Sequence, residues 1–205
     1  MADKYRDSEF PRLFSPENIG LEEASPWQLF KEDSEGTLLH LFSSSRVIGV
    51  YIDGACPGNG TPRAKGGYGV YFGSDSQFNV SKPLKENSPQ TSQRAELTAA
   101  LVALNQIERI VKIARDNGTN LNPFIIMTDS AYLVNSLTSY IYKWQNNDYT
   151  AATGRQVANR DLFERVDDKL DAMANGRQGI DVLFWKVDRS DNEDADGLAR
   201  EGADM

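Results

Sequence analysis

The chain has 205 residues, a formal net charge of −8, 25% charged residues and one cysteine. That length suits one domain with an appendage, able to bury a core unaided, and a single cysteine excludes a disulfide framework within the chain and fits a reducing compartment. The polar N-terminus lacks an apolar stretch of signal-peptide or membrane-helix length, so the expectation is an intracellular monomer, cytoplasmic or nuclear, not secreted and not in a membrane.

Residues 1–45 show no clear periodicity and mix Pro11, Pro16, Pro26, Gly20 and Gly36 with acids, which predicts an acidic extension, flexible or loosely docked. Two apolar stretches, residues 26–30 and 37–42, read as segments that lie against the rest of the protein or bind a partner. The extension carries nine acids and four bases, a balance of −5, leaving 21 acids against 18 bases, or −3, for residues 46–205. A negative total argues against a nucleic-acid partner, since phosphate binding is driven by basic surface. The division softens that objection, because bound divalent cations would bring residues 46–205 close to neutral.

From Arg46 the pattern becomes regular. Residues 47–52 predict a buried strand, a glycine-rich connection spans 54–66, and residues 67–72 and 77–82 predict two more strands. A helix is predicted over 92–116, with Ala95, Ala99, Val102, Ala103, Gln106, Ile110 and Ile113 on one face, Ser92 as N-cap and Gly118 just beyond the end. Residues 123–127 predict a strand that leads through Thr128-Asp129-Ser130 into a second helix. A third helix is predicted over 157–174, with Leu162, Phe163, Val166, Leu170 and Met173 inward. Residues 181–187 predict the last strand, and Asn192 opens the final helix. This order predicts an α/β domain with one mixed sheet of five strands and helices on both faces.

Four acids fall at the ends of these elements: Asp53, Glu96, Asp129 and Asp196. Singly, each has a plain reading: an Asp-Gly turn for Asp53, complement to a helix dipole in a first turn for Glu96, a helix cap for Asp129, a solvated helix residue for Asp196. Together they change meaning, because a central strand, its neighbour's C-terminal end and two helix starts can meet at one sheet edge. Such carboxylates suit Mg²⁺, a hard cation that takes oxygen ligands. Zinc-type coordination has only Cys56 and His40 to draw on, and His40 between two leucines reads as structural.

The words around these acids carry a resemblance. Asp53-Gly54-Ala55-Cys56-Pro57-Gly58-Asn59-Gly60, Thr91-Ser92-Gln93-Arg94-Ala95-Glu96, Thr128-Asp129-Ser130 and Asp196-Gly197-Leu198-Ala199-Arg200-Glu201-Gly202-Ala203 resemble, in order and spacing, the Asp-Glu-Asp-Asp elements of type-1 ribonuclease H in its eukaryotic form. The match runs over residues 46–203. It implies a ribonuclease-H-like catalytic domain over 46–205 that cuts the RNA strand of an RNA/DNA hybrid, leaving 3′-hydroxyl and 5′-phosphate ends. Two Mg²⁺ ions, with Mn²⁺ as substitute, would flank the scissile phosphate: Asp53 bridging, Asp196 completing the water-activating site, Glu96 and Asp129 serving the leaving-group site.

The resemblance also implies that Asn59, Gln93, Glu96 and the Cys56 backbone read ribose 2′-hydroxyls. Thr91 and Asn159 fall on its DNA-phosphate pocket, and Tyr140 and Trp144, with Lys143 beside them, on its DNA-facing aromatic helix, where Tyr140, Tyr142, Trp144 and Tyr149 run into the polar stretch Gln145-Asn146-Asn147-Asp148, which suggests exposure. Two departures stand out. The loop after the last strand has no histidine and resembles a histidine-lacking subgroup, which makes Arg189 the candidate near the leaving group, or else a surface ion pair with Asp188 or Asp191. Pro89 stands where animal members have a pocket arginine. Two rival readings are a relative that binds hybrids or proteins without turnover, and a DNA-cutting resolvase or transposase relative, against which the residues around Asn59 and Gln93 speak.

Overall fold

The computed structural model describes residues 3–21, 24–176 and 179–205. Seven strands form one sheet: β1 (Phe30–Glu32), β2 (Leu39–Leu41), β3 (Ser44–Ala55), β4 (Gly67–Tyr71), β5 (Val80–Pro83), β6 (Phe124–Thr128) and β7 (Val182–Lys186). Among the described residues six α-helices accompany them: α1 (Pro26–Leu29), α2 (Ser92–Asp116), α3 (Ala131–Asn135), α4 (Ile141–Gln145), α5 (Arg160–Asn175) and α6 (Glu193–Asp204). A π turn over Ser136–Tyr140 joins α3 to α4.

The five expected strands are present, and the sheet is larger than expected because the N-terminal extension adds two. Strand β3 is the spine. One of its edges pairs parallel with β6 over residues 48–51, so β2, opposite residues 44–49, and β4, opposite residues 51–55, follow one another along the other edge. Strand β7 continues the sheet parallel to β6, and β5 lies antiparallel to β4.

Alternation along each strand divides the core in two. Ile48, Val50, Ile52, Val70, Phe124, Ile126 and Phe184 pack under α2 and α5 with Leu97, Leu104, Ile107, Phe163 and Val166. Tyr51, Tyr71, Ile125, Met127 and Leu183 face the other way, against Ala195 of α6 and the extension's Phe14, Leu29, Phe30, Leu39 and Leu41. Leu29 and Phe30 of one apolar stretch and Leu39 and Leu41 of the other therefore lie in the core, while Trp27 and Phe42 stay exposed.

The extension is held by more than apolar contact, contrary to the expectation of a flexible or loose arm. The Phe14 and Phe184 amides donate to the Phe184 and Arg12 carbonyls at 2.9 and 2.8 Å, so residues 12–14 run along the outer edge of β7. The Glu32 carboxylate accepts from the Tyr71 hydroxyl and from the Ser74 amide and hydroxyl at 2.7–2.8 Å. Composition missed this because it counts prolines and charges, while the docking rests on a few apolar residues and on backbone pairing.

Several boundaries differ from expectation. Thr91, not Ser92, caps α2: its hydroxyl accepts from the Arg94 amide at 3.3 Å. Ile113 is 46% exposed, so it leaves the inward face on which it was expected. Helix α5 begins three residues later than predicted, behind Asn159 in the left-handed region at φ 59°. Among the described residues no helix is long and apolar enough to cross a membrane.

Candidate active site

Asp53 sits near the end of β3, 8% exposed, opposite Gly69 of β4. The Asp-Gly turn reading fails, since β3 continues through Gly54 to Ala55. Gly54 serves close approach instead. A β-carbon there would stand 2.2 Å from the Glu96 amide nitrogen and 2.5 Å from the Ala95 carbonyl carbon, so only glycine lets α2 begin against the strand. That approach brings Glu96 to Asp53. Glu96 lies in the second turn of α2, beyond the first turn where the dipole reading put it, and it accepts from the Ser130 hydroxyl.

Asp129 follows from register. Tyr51 is aligned with Met127 across the parallel β3/β6 pair, so two residues further on Asp53, still in β3, and Asp129, one residue past β6, come side by side on lines spaced about 4.8 Å. It is not a helix cap: Ser130 caps α3, accepting from the Leu133 amide at 3.2 Å.

Asp196 arrives from the opposite face of the sheet. Helix α6 crosses β4 at backbone contact: β-carbons on Gly67 and Gly69 would lie 2.1 Å from the Ala203 nitrogen and 2.3 Å from the Ala195 oxygen. Buried Asn192, just before α6, donates from Nδ2 to the Ile52 carbonyl at 3.1 Å, fastening the helix start one residue from Asp53. Asp196 is not a solvated helix residue; its side chain is 19% exposed and pairs with Arg189 Nη2 at 3.2 Å and Arg200 Nη2 at 3.0 Å.

All four acids line one cleft of about 380 Å³, with Gly54, Cys56, Ser92, Arg189 and Arg200. Burial and the neighbouring Asp129 push the Asp53 carboxyl up to about 6, with Asp196 adding to the effect and Arg189 opposing it. Burial likewise pushes Glu96 up to about 7, with the Asp53 and Asp129 charges adding and the Ser130 hydroxyl opposing. Such a cluster is unfavourable alone and favourable around a cation. Among the described residues, no group of three or more His, Cys, Asp or Glu side chains is arranged closely enough to hold a metal ion as it stands. The donors nonetheless fit a hard divalent ion, being all oxygen, and Mg²⁺ completes its octahedron with water and substrate rather than with a preformed protein shell.

The other expected residues divide. Cys56 and Arg189 line the cleft; Arg189 pairs with Asp196 rather than with Asp188 or Asp191. Asn59 is exposed in the turn beyond β3, its amide donating to the Cys56 carbonyl at 3.0 Å, and Gln93 is exposed at the start of α2. Thr91 and Asn159 are linked through Arg94, whose amide meets Thr91 and whose Nη1 donates to Asn159 Oδ1 at 3.2 Å and to Asp161 at 3.0 Å. The aromatic stretch is less exposed than its polar company suggested. Tyr140 is 42% exposed, but Trp144 packs edge-on to Phe163 at 5.0 Å and Tyr149 is buried. Arg200 was missed; it is at i+4 from Asp196, a spacing that the sequence displayed.

A mixed sheet whose edge gathers acids from two strand ends and two helices defines an α/β domain of ribonuclease-H-like architecture. A sequence model of RNase H matches residues 45–204, and the chain belongs to that family. Ribonuclease H1 of Rattus norvegicus is 34% identical over 158 residues, covering 75% of this chain and 49% of the relative. Ribonuclease H of Schizosaccharomyces pombe is 31% identical over 204 residues, 98% of this chain and 66% of the relative, and that of Ruegeria pomeroyi is 34% identical over 157 residues, 74% and 89%. The chain thus spans about half the length of the mammalian relatives it matches. Among solved structures, LC11-RNase H1 in complex with RNA/DNA hybrid shares the fold, with a TM-score of 0.52 at 18% identity over 76% of this chain and 96% of that one.

Proposed function

We propose that residues 46–205 form a catalytic domain that hydrolyses the RNA strand of RNA/DNA hybrids endonucleolytically, to 3′-hydroxyl and 5′-phosphate products. The observation that carries this reading is the meeting of Asp53, Glu96, Asp129 and Asp196, from four different elements, in one cleft. These four side chains would hold two Mg²⁺ ions, or Mn²⁺ in their place. The ions would supply an activated water and neutralise charge on the scissile phosphate and leaving oxygen.

The chain's own groups do the rest. Asp53, buried, and Glu96, half-buried, both electrostatically crowded, draw the cations to the end of β3. Arg189, exposed and paired with Asp196, stands near the leaving group, in the role that other members give to histidine. Asn59, Gln93, Glu96 and the Cys56 backbone select RNA by its 2′-hydroxyls, which donate and accept hydrogen bonds that DNA lacks. Thr91 and Asn159, joined through Arg94, take a phosphate of the DNA strand, and Tyr140 with Trp144 receives its sugars.

The test is incubation with Mg²⁺ and a hybrid labelled on the RNA strand, beside duplex DNA and duplex RNA. Cleavage of the hybrid's RNA alone, abolished in Asp53→Asn, is the expected result. No cleavage by the unaltered protein would leave a binding module, and cleavage of duplex DNA would point to a different nuclease on this fold.

A further inference from the structure

The extension reaches the expected DNA-binding helix through one side chain. Arg12 Nη1 donates to Asp167 Oδ1 at 2.7 Å and Arg12 Nη2 to Asp171 Oδ1 at 2.8 Å, while its guanidinium lies over the Tyr142 ring at 5.7 Å. The Arg12 and Asp167 side chains are 12% and 6% exposed, so this is a largely buried pair. The other Asp167 oxygen, Oδ2, accepts from Gln145 Nε2 at 2.6 Å. Gln145 is next to Trp144, and Trp144 rests on Phe163, one turn before Asp167 on the same face of α5.

Two adjacent residues of α4 are thus seated on two residues of α5 four positions apart, and Arg12 supplies the charge that makes Asp167 a tolerable buried acceptor. The helix needs such a support. The π turn over Ser136–Tyr140 interrupts its regular hydrogen bonding immediately before α4, so the direction of Tyr140 and Trp144 is set by side-chain contacts as much as by the backbone. Tyr140 in turn leans on Trp144, ring centroids 5.9 Å apart.

We propose that Arg12 is a positioning residue for the DNA strand: through Asp167 and Gln145 it holds α4 so that Tyr140 and Trp144 present one fixed surface to the hybrid. The extension then belongs to substrate binding although Arg12 bonds to Asp167 and Asp171 rather than to any of the four acids of the cleft. The proposal rests on the reading of α4 as the DNA-facing helix.

Steady-state cleavage of a labelled hybrid by the full chain, together with fluorescence anisotropy of the same hybrid on the cleavage-dead Asp53→Asn background, separates the two. Arg12→Met keeps the stem and removes the charge. It should raise KM and Kd about fivefold, on the order of one stacked base, and leave kcat within about twofold. Arg12→Lys, which keeps charge but cannot span both acids, should fall between. In the background Tyr140→Ala, Arg12→Met should add little. Unchanged KM and Kd in Arg12→Met, with only thermal stability lowered, would overturn the positioning role. Unchanged Kd in both Tyr140→Ala and Trp144→Ala would instead remove the reading of α4 itself. If Arg12→Met fails to fold, Gln145→Leu cuts the same chain one link later, and an unaltered Kd there overturns the proposal.

Discussion

Asp53 bears the electrostatic strain of the cleft. Its carboxyl is raised from an ordinary 3.8 to about 6, chiefly by burial and then by Asp129, so the folded state holds that proton more tightly than the unfolded one does. Stability from this group is therefore complete below about pH 4 and lost as pH rises through 6. In metal-free protein Asp53→Asn should raise stability at pH 8 by about 1–3 kcal/mol, a gain that shrinks to nothing near pH 4. Urea denaturation in chelator across that range checks it; a gain that does not change with pH would refute the argument. The same shifts set the cation's pH dependence. Glu96, raised to about 7, and Asp53 must lose protons to ligate, so Mn²⁺ affinity measured by calorimetry should weaken as pH drops from 8 to 5.5.

At the scale of elements, glycines decide where the acids meet. Gly54→Ala would drive a methyl group into the backbone of α2, which cannot yield as a flexible side chain can, and should cost about 3 kcal/mol in thermal or urea unfolding. Gly197 offers the contrast: it is exposed in α6 beside Asp196 with no atom within 4 Å of an added β-carbon, so Gly197→Ala should stabilise by about 0.5–1 kcal/mol. Equal effects of the two changes would show that helix propensity rather than close approach governs these positions. Much of this level was legible beforehand. Helix α2 has the predicted bounds, because its apolar positions recur at helical spacing for seven turns and Gly118 follows them. The four acids could be picked out at strand and helix ends. Their actual neighbours could not: that Ser130 rather than Asp129 caps α3, or that Gly54 marks a contact and not a turn, depends on atoms distant in sequence. The partial burial of Trp144 and the burial of Tyr149 against it escaped for the same reason, since Phe163, on which Trp144 rests, arrives from another helix.

Across the whole molecule, the extension completes a face of the sheet that α6 alone leaves open. Removing residues 1–45 would uncover Tyr51, Ile125, Met127 and Leu183, each a large side chain worth about 1.5–3 kcal/mol when buried. The shortened chain should lose about 5 kcal/mol of unfolding free energy and unfold at a markedly lower urea midpoint; an unchanged midpoint would mean that the extension only rests on the domain. The apolar stretches 26–30 and 37–42 pointed to docking as one reading, but an isolated Phe14 carries no period from which burial can be read. The alignment with the Schizosaccharomyces pombe relative runs through this region, whereas that with Ruegeria pomeroyi covers only 74% of the chain.

The ribbon along β7 has a kinetic corollary. Arg12 and Asp171 meet across 159 positions of sequence, and that pairing closes only after β7 and α5 exist. During synthesis residues 12–14 therefore wait for β7 to emerge before their backbone pairing can close, whereas Phe30, Leu39 and Leu41 find partners within the first strands. Contacts of such long range slow folding, so the waiting N-terminal stretch is where a chaperone or an aggregating neighbour would first take hold.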